Sequence, residues 1–395
     1  MDVAEIPISH HLRRDKFEPE DRFALVLVCC TSCGLPQLNN PVSDELIYSS
    51  ADSYLTGFQR PRHLQDLVIT AIARQDPGRV VDVGCNDGAL LGLLREHGYG
   101  GLIGIEPNAV AAAVARSSGH MVYVDFFDRL AAARITSEQG RFDTAFVRHV
   151  AEHVVDLKDF FLALRELIVE DGQLILELPH IEPGFGSGNP AILWEEHVNY
   201  FTEPLAEHLL HRFGFDVLDR RTYAFGGGSI AFVCRRRSEP LAALAEPTAG
   251  AAIGLSQGFA SRFGVYRDEL RAIVSSAKIE GYKLAVYGAA PRSCTVIGSC
   301  EIGDAVDVVI DDREAIQGFL MPGTECPILP LKEAVSSFGP RLLCLLGVGA
   351  ENEYVVRNRL VEAHSGASIF ISLLPPRDSL ASIANAHEAI AVNQR

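Results

Sequence analysis

Along most of this chain, short apolar runs alternate with longer amphipathic stretches. RVVDVG (79–84) precedes ALLGLLREHG, and GLIGIEP (101–107) precedes AVAAAVARSSG. MVYVD (121–125), FDTAFVRH (142–149), DLKDFFLALRELI and GQLILELP (172–179) continue the rhythm. A strand covered on both faces reads as a continuous apolar run, and a helix of about a dozen residues carries the chain back to start the next one. The pattern predicts an α/β doubly wound sheet over residues 66–238. A stretch rich in Ala, Pro and Gly, EPLAALAEPTAGAAIG, then reads as a linker over 239–255. After the amphipathic ASRFGVYRDELRAIVSSAKIEG a second alternation begins: KLAVYGAA (283–290), AVDVVIDD (305–312), RLLCLLGVG (341–349) and SIFISLLPP (368–376). It predicts a smaller α/β domain over 256–395. Residues 1–65 hold one clear apolar run, ALVLVCC (24–30), which reads as a strand entering the turn CTSCGLP.

A length of 395 residues suits two or three domains rather than one core, and 48% hydrophobic residues are enough to fill them. The net charge of -16 opposes a phosphate backbone, so nucleic acid is not an expected partner. The N-terminus lacks the basic-then-apolar order of a signal peptide and no apolar run is long enough to span a bilayer; the expectation is a cytoplasmic protein without a membrane partner. Nine cysteines, odd in number and clustered only at Cys29, Cys30 and Cys33, suit reduced thiols. Cys30 and Cys33 are the candidate metal ligands.

The chemistry concentrates at the ends of the predicted strands. Asp82 lies on the first strand of the large sheet, and the turn after it carries Gly84 and Gly88, where the absence of a Cβ lets backbone approach a ligand. The order D-x-G-x-x-x-G departs from the dinucleotide fingerprint GxGxxG. An acidic residue on the strand is poor company for a pyrophosphate and good company for a positively charged ligand. Glu106 ends the next strand, where a carboxylate can take both ribose hydroxyls. Asp125 and Phe126 close the third, a pairing suited to an adenine. Any one of these could be a helix cap; their order at the carboxyl ends of successive strands is what points to a ligand.

VVDVGCNDGALL, GIEP and VDFF, in that order and one βα unit apart, resemble the S-adenosylmethionine site of class I methyltransferases. The resemblance implies that Asp82, Gly84, Asn86 and Gly88 surround the methionine moiety, Glu106 with Pro107 the ribose, and Asp125, Phe126 and Phe127 the adenine. Arg148 and His149 open RHVAEHVVDL (148–157), which matches the stretch facing the sulfonium and the substrate. The flanks narrow the class. VCCTSCGLPQL (28–38) with LIYSSADSYLTG (46–57) resembles the N-terminal zinc-binding region of the sugar C-methyltransferase family, and VYGAAPRSCTVIGSC (286–300) with VVIDDREAIQGFLMPGT (308–324) its C-terminal domain. The implied architecture is a Rossmann-like methyltransferase sheet between a small N-terminal lid and a second Rossmann-like domain; the implied substrate is a nucleotide-linked keto-deoxysugar. Two departures stand out. The family's zinc is held by two Cys-x-x-Cys pairs and a structural site wants four ligands, whereas only Cys30 and Cys33 are present. PISHHL matches the sequence just after the family's first pair, so the start is truncated or the metal lost; the adjacent His10 and His11 could substitute as ligands, but two adjacent histidines are more often surface residues. The second departure lies in LWEEHVNYF (193–201), where Trp194 replaces a family tyrosine and Glu195 a histidine.

Methylating carbon needs a base to form an enolate and a group to stabilise the oxyanion. By residue type and resemblance His197 is the expected base, Glu196 its orienting carboxylate, and His153 a donor to the enolate. Tyr54 is the expected residue reaching over the pocket from the N-terminal region. Trp194, Glu195, Asn199, Gly227 and Arg292 are the expected substrate contacts, with Arg292 holding a phosphate at a helix N-terminus. An O- or N-methyltransferase acting on a small metabolite is the alternative on the same scaffold.

Overall fold

The computed structural model describes residues 1–43, 62–74, 78–238 and 249–392. Three strands, β1 (Asp2–Pro7), β2 (Arg22–Cys29) and β3 (Pro36–Leu38), form an antiparallel sheet in the order β1-β2-β3. Its inward residues Val3, Ile6, Leu25, Leu27 and Leu38 do not close a core of their own. They join a cluster with Phe259, Tyr266, Val296 and Leu343 from the far end of the chain.

The large domain follows as α1 (His63–Ile72), β4 (Val80–Val83), α2 (Ala89–Glu96), β5 (Leu102–Ile105), α3 (Ala109–Ser117), β6 (Met121–Tyr123), α4 (Arg129–Gln139), β7 (Phe142–Arg148), α5 (Leu157–Leu167), β8 (Ile168–Pro179), α6 (Glu182–Ser187), α7 (Glu203–Arg212), β9 (Phe215–Tyr223) and β10 (Ser229–Arg236). These strands form one sheet in the order β6-β5-β4-β7-β8-β10-β9. β4 to β8 are parallel, and β10 inserts antiparallel between β8 and β9. All four residues of β4 are buried, as a central strand covered by helices requires. α5 turns Phe160, Phe161, Leu164 and Leu167 inward at helical spacing. The order reverses at β4, the place where open α/β sheets bind ligands beyond the carboxyl ends of their strands.

The last part comprises α8 (Ala249–Ile279), β11 (Lys283–Tyr287), α9 (Pro291–Ser299), β12 (Val308–Ile310), β13 (Ile328–Leu329), α10 (Leu331–Ala334), β14 (Arg341–Leu346), α11 (Glu353–Ala363), β15 (Ala367–Ser372) and α12 (Ser379–Val392). Its sheet runs β13-β12-β11-β14-β15, all parallel. The helix α8 starts at Ala249, inside the stretch expected as linker over 239–255, because its Ala-rich start favours helix and buries Ala252. Residues 239–248 lie outside the described residues. β1 packs on α9, where Gly298 leaves room for Ile6. The N-terminal strands thus tie the two larger domains together, and none of the described helices is long and apolar enough to cross a membrane.

Candidate active site

The carboxyl end of β4 meets the turn Gly84–Gly88. Gly84 has φ +76° and a Cβ there would run into the Val150 side chain, so the close approach of the loop after β7 requires glycine. Asp82 is buried and makes no hydrogen bond or ion pair among the described residues; burial pushes its carboxyl up to about 7. Glu106 accepts the backbone N–H groups of Asn86 and Asn108, both at 2.9 Å, one on each oxygen, and burial raises its pKa. Asn86 sits at φ +48° and Gly88 at φ +80°, shaping the loop around this carboxylate. Pro107 lies half-buried between Glu106 and Asn108, the residue that caps α3. A glycine cradle, an unpartnered buried carboxyl and a carboxylate with lone pairs to spare fit a cationic nucleoside ligand. The third strand fits less well. Asp125 turns outward onto Arg134 at 2.7 Å, and Phe127 packs edge-on against Phe160 at the rim of the core; the ring exposed beside them is Phe126.

The segment Trp194–Tyr200 has no regular structure of its own and is held by backbone bonds to two neighbours. The carbonyl of Glu152, in the loop after β7, accepts the N–H groups of Val198 (2.8 Å) and Asn199 (3.0 Å). From β3, Leu38 donates to the Val198 carbonyl at 2.9 Å and Pro36 accepts from Tyr200 at 3.0 Å. Asn199, expected at the substrate, spends its amide internally: its Nδ2 donates to the Val154 carbonyl and its Oδ1 accepts from Gln37 Nε2. Glu195, also expected at the substrate, is buried against Ser9, whose backbone N–H and hydroxyl both donate to Oε1 at 2.5 Å.

His197 is buried. Burial first, then the neighbouring His153, Arg292 and His149 side chains, hold its imidazole well below the usual value, so it is neutral at physiological pH. Glu196, expected to orient it, points elsewhere. Its carboxylate forms a buried ion pair with His10 and lies 3.9 Å from His153. His10 is therefore an internal residue rather than a surface one, while His11 meets Asp21 at 2.8 Å. The rings of His153 and His197 meet edge to face, 4.8 Å between centroids.

Beside them lies a second charged cluster. Glu177, fully buried on β8, accepts from Arg148 Nε at 2.7 Å, Ser229 Oγ at 2.6 Å and His63 Nε2 at 2.8 Å. Burial opposes its charge, but Arg148 and His149 outweigh it and keep this carboxyl well below the ordinary range. His149 lies between two carboxylates, its Nδ1 3.2 Å from Glu152 and its Nε2 3.5 Å from Glu177. Burial disfavours its proton, yet the two carboxylates prevail and lift its pKa to about 9. Arg148 and His149, expected at the cofactor, thus have their polar atoms engaged within the protein.

Arg292 comes from the first turn of α9 and brings the C-terminal domain into the site. Its guanidinium lies 4.8 Å above the Trp194 ring, which is itself 3.5 Å from the His197 ring between centroids. A Cβ on Gly227, at φ +89°, would run into the guanidinium. Arg292 has no hydrogen bond or ion pair among the described residues, and burial lowers its pKa to about 10. Glu152, His153 and His197 each place a ligand-type atom within 4.8 Å of the others. The positive charges of Arg292 and His149 beside them oppose a divalent cation.

Tyr54 lies outside the described residues. Cys30 and Cys33 sit in the β2–β3 turn and pack against the core of the large domain. Among the described residues no third metal-ligating side chain groups with them, since His10 and His11 are committed elsewhere. Glu152, Glu177, His63 and His10 were not legible as site residues in the sequence. The only hint was the spacing of HVAEH, which puts Glu152 three residues after His149.

Residues 57–220 match the family described as a methyltransferase domain, and residues 225–375 the C-methyltransferase C-terminal domain. Over 94% of its length the chain is 25% identical to the C-methyltransferase NovU of Streptomyces niveus, of which it covers 91%. Among solved structures, the 1,6-didemethyltoxoflavin-N1-methyltransferase of Burkholderia thailandensis, with 1,6-didemethyltoxoflavin and S-adenosylhomocysteine bound, is similar at a TM-score of 0.38 and 15% identity, over 52% of this chain and 95% of that one. The magnesium protoporphyrin IX methyltransferase of Synechocystis PCC 6803 is similar at a TM-score of 0.35 and 16% identity, over 44% of this chain and 82% of that one.

Proposed function

We propose, for a chain that is an S-adenosylmethionine-dependent methyltransferase of the C-methyltransferase family, that it methylates a carbon beside the carbonyl of a nucleotide-linked keto-deoxysugar, with His197 as the base. The observation that carries this reading is the pairing, in one site, of a neutral buried imidazole with an uncommitted guanidinium from the other domain. S-adenosylmethionine, when bound, supplies an electrophilic methyl group; making the acceptor carbon nucleophilic is left to the protein. The His197 lone pair takes the proton next to the carbonyl, and the C–H electron pair becomes the enolate. His153, partly exposed beside it, donates to the enolate oxygen. Arg292 holds a phosphate oxygen of the nucleotide and Trp194 gives the sugar a flat apolar wall. The likeness to NovU supports carbon as the acceptor atom. All nine cysteines are free, in keeping with a reducing compartment, and we place the enzyme in the cytoplasm.

The test is hydrogen exchange in deuterated water without the methyl donor, using a nucleotide-linked keto-deoxysugar. Loss of the hydrogen beside the carbonyl, abolished in His197→Gln, is the expected result. Methylation at oxygen without exchange, or near-normal turnover of His197→Gln, would overturn the reading.

A further inference from the structure

The neighbour in sequence, Glu196, is not the carboxylate that faces His197. Glu196 is committed to His10 and, more distantly, His153. The group on the Nε2 side of His197 is Glu152, with Oε1 3.9 Å away and a side chain only 1% exposed. Two backbone bonds fix that spacing, because the Glu152 carbonyl accepts from Val198 and Asn199, the two residues directly after His197. The loop after β7 and the base-bearing segment are therefore fastened to each other directly beside His197.

We propose that Glu152 is the positioning carboxylate for His197, and that His149 holds Glu152 in that place. The inference rests on His197 being the base. A carboxylate at Nε2 keeps the ring proton on that nitrogen and leaves the lone pair on Nδ1 for the substrate. When Nδ1 takes the proton from carbon, the electron pair of the broken C–H bond stays on the substrate as the enolate. The imidazolium formed then faces the buried Glu152 side chain, whose oxygen can take up the ring N–H as a hydrogen bond. The 3.9 Å separation exceeds a hydrogen bond in the free enzyme, and such contacts tighten in the substrate complex.

His149 supplies the other half of the arrangement. It is a non-glycine residue at φ +53°, a strained conformation that persists where the surroundings impose it. That backbone places its Nδ1 on the same Glu152 oxygen that faces His197, with Glu177 against the opposite side of the ring. The Glu152 Oε1 atom is thereby pinned between two imidazoles. Among the described residues its Oε2 is buried with no hydrogen-bond partner, so Oε1 is the oxygen through which the side chain is held. Among the described residues, the titratable and charged groups facing the pair include His149, His153, Arg292, Glu177 and Glu196.

The experiment compares the full-length wild type with Glu152→Gln and Glu152→Asp. Nitrogen-15 NMR of the His197 ring reads the tautomer directly. The wild type should carry its proton on Nε2; in Glu152→Gln the new amide donates to Nε2 and the proton moves to Nδ1. Deuterium exchange into a nucleotide-linked keto-deoxysugar should fall about 10²-fold or more in Glu152→Gln, with S-adenosylhomocysteine affinity unchanged, and recover in part in Glu152→Asp. An unaltered tautomer, or exchange within about two-fold of wild type, overturns the role of Glu152. If Glu152→Gln does not fold, an Nδ1-protonated ring in the wild type or a Glu152→Asp variant losing as much exchange as His197→Gln does the same. Retained exchange in His197→Gln overturns the base assignment instead, so the two failures are distinguishable.

Discussion

His10 and Glu196 meet as an ion pair inside the protein, joining the end of β1 to the segment that carries the expected base. Burial opposes the charge on Glu196, but His10 foremost and then His153 hold its carboxyl below the usual value. Glu196 thus fastens the N-terminal strands to the site, and its neighbour His197 is left to Glu152.

Removing His10 would leave a buried carboxylate without its main partner. His10→Ala should lower the unfolding free energy by about 3 kcal/mol, read from urea midpoints at neutral pH. Because the folded pKa of Glu196 is depressed, the pair stabilises above the ordinary carboxylate range and the effect fades as pH falls through the folded value. The wild-type and His10→Ala unfolding curves should converge in acid; a constant gap from pH 7 to pH 3 would count against the pair.

His149 has the opposite sign. Its folded pKa near 9 lies above the ordinary 6.5, so its contribution is complete below about 6.5 and disappears as pH rises through 9. Wild-type stability should drop by up to about 3 kcal/mol between pH 6 and pH 10, and His149→Asn should flatten that slope. Equal slopes in the two proteins would show that the imidazolium does not form.

Arg292 is a cation without a hydrogen-bonded partner in the described residues, held in place by Trp194 and by the room at Gly227. Arg292→Met should raise KM about 10–100-fold while leaving stability equal or higher, since removing a desolvated, unpaired charge relieves the fold. Steady-state kinetics and a thermal scan on the same preparation read both effects. An unchanged KM would place the anion site elsewhere.

Gly84→Ala combines a strained φ with a collision at Val150. The loop must shift away from β4, and S-adenosylhomocysteine affinity measured by calorimetry should fall at least ten-fold, about 1.4 kcal/mol. Normal affinity would mean that this turn is not part of the cofactor cradle.

β9 and the two-residue β13 could not be read from the chain alone. The alternation of strands and helices from β4 to β8 and through β11, β12, β14 and β15, and the placing of Asp82, Gly84 and Glu106 at the ends of β4 and β5, could. Both depend on local pattern: strands covered on two faces are apolar throughout, and successive βα units bring the ends of β4 and β5 to one side of the sheet. His197 could be singled out for the same reason, since its acidic and aromatic neighbours are contiguous. Which groups those neighbours serve could not. Glu195, Glu196 and His197 follow one another in sequence, yet the irregular backbone sends them to Ser9, to His10 and toward Glu152. The roles of Asn199, Asp125 and Phe127 likewise depended on partners contributed by other elements. The N-terminal strands were legible only as one apolar run, because short strands that lend their inner face to another domain's core leave no periodic record of that partner. Adjacency in sequence determined which residues could share the site; the loop after β7, brought alongside Val198 and Asn199 by backbone hydrogen bonds, decided which carboxylate His197 faces.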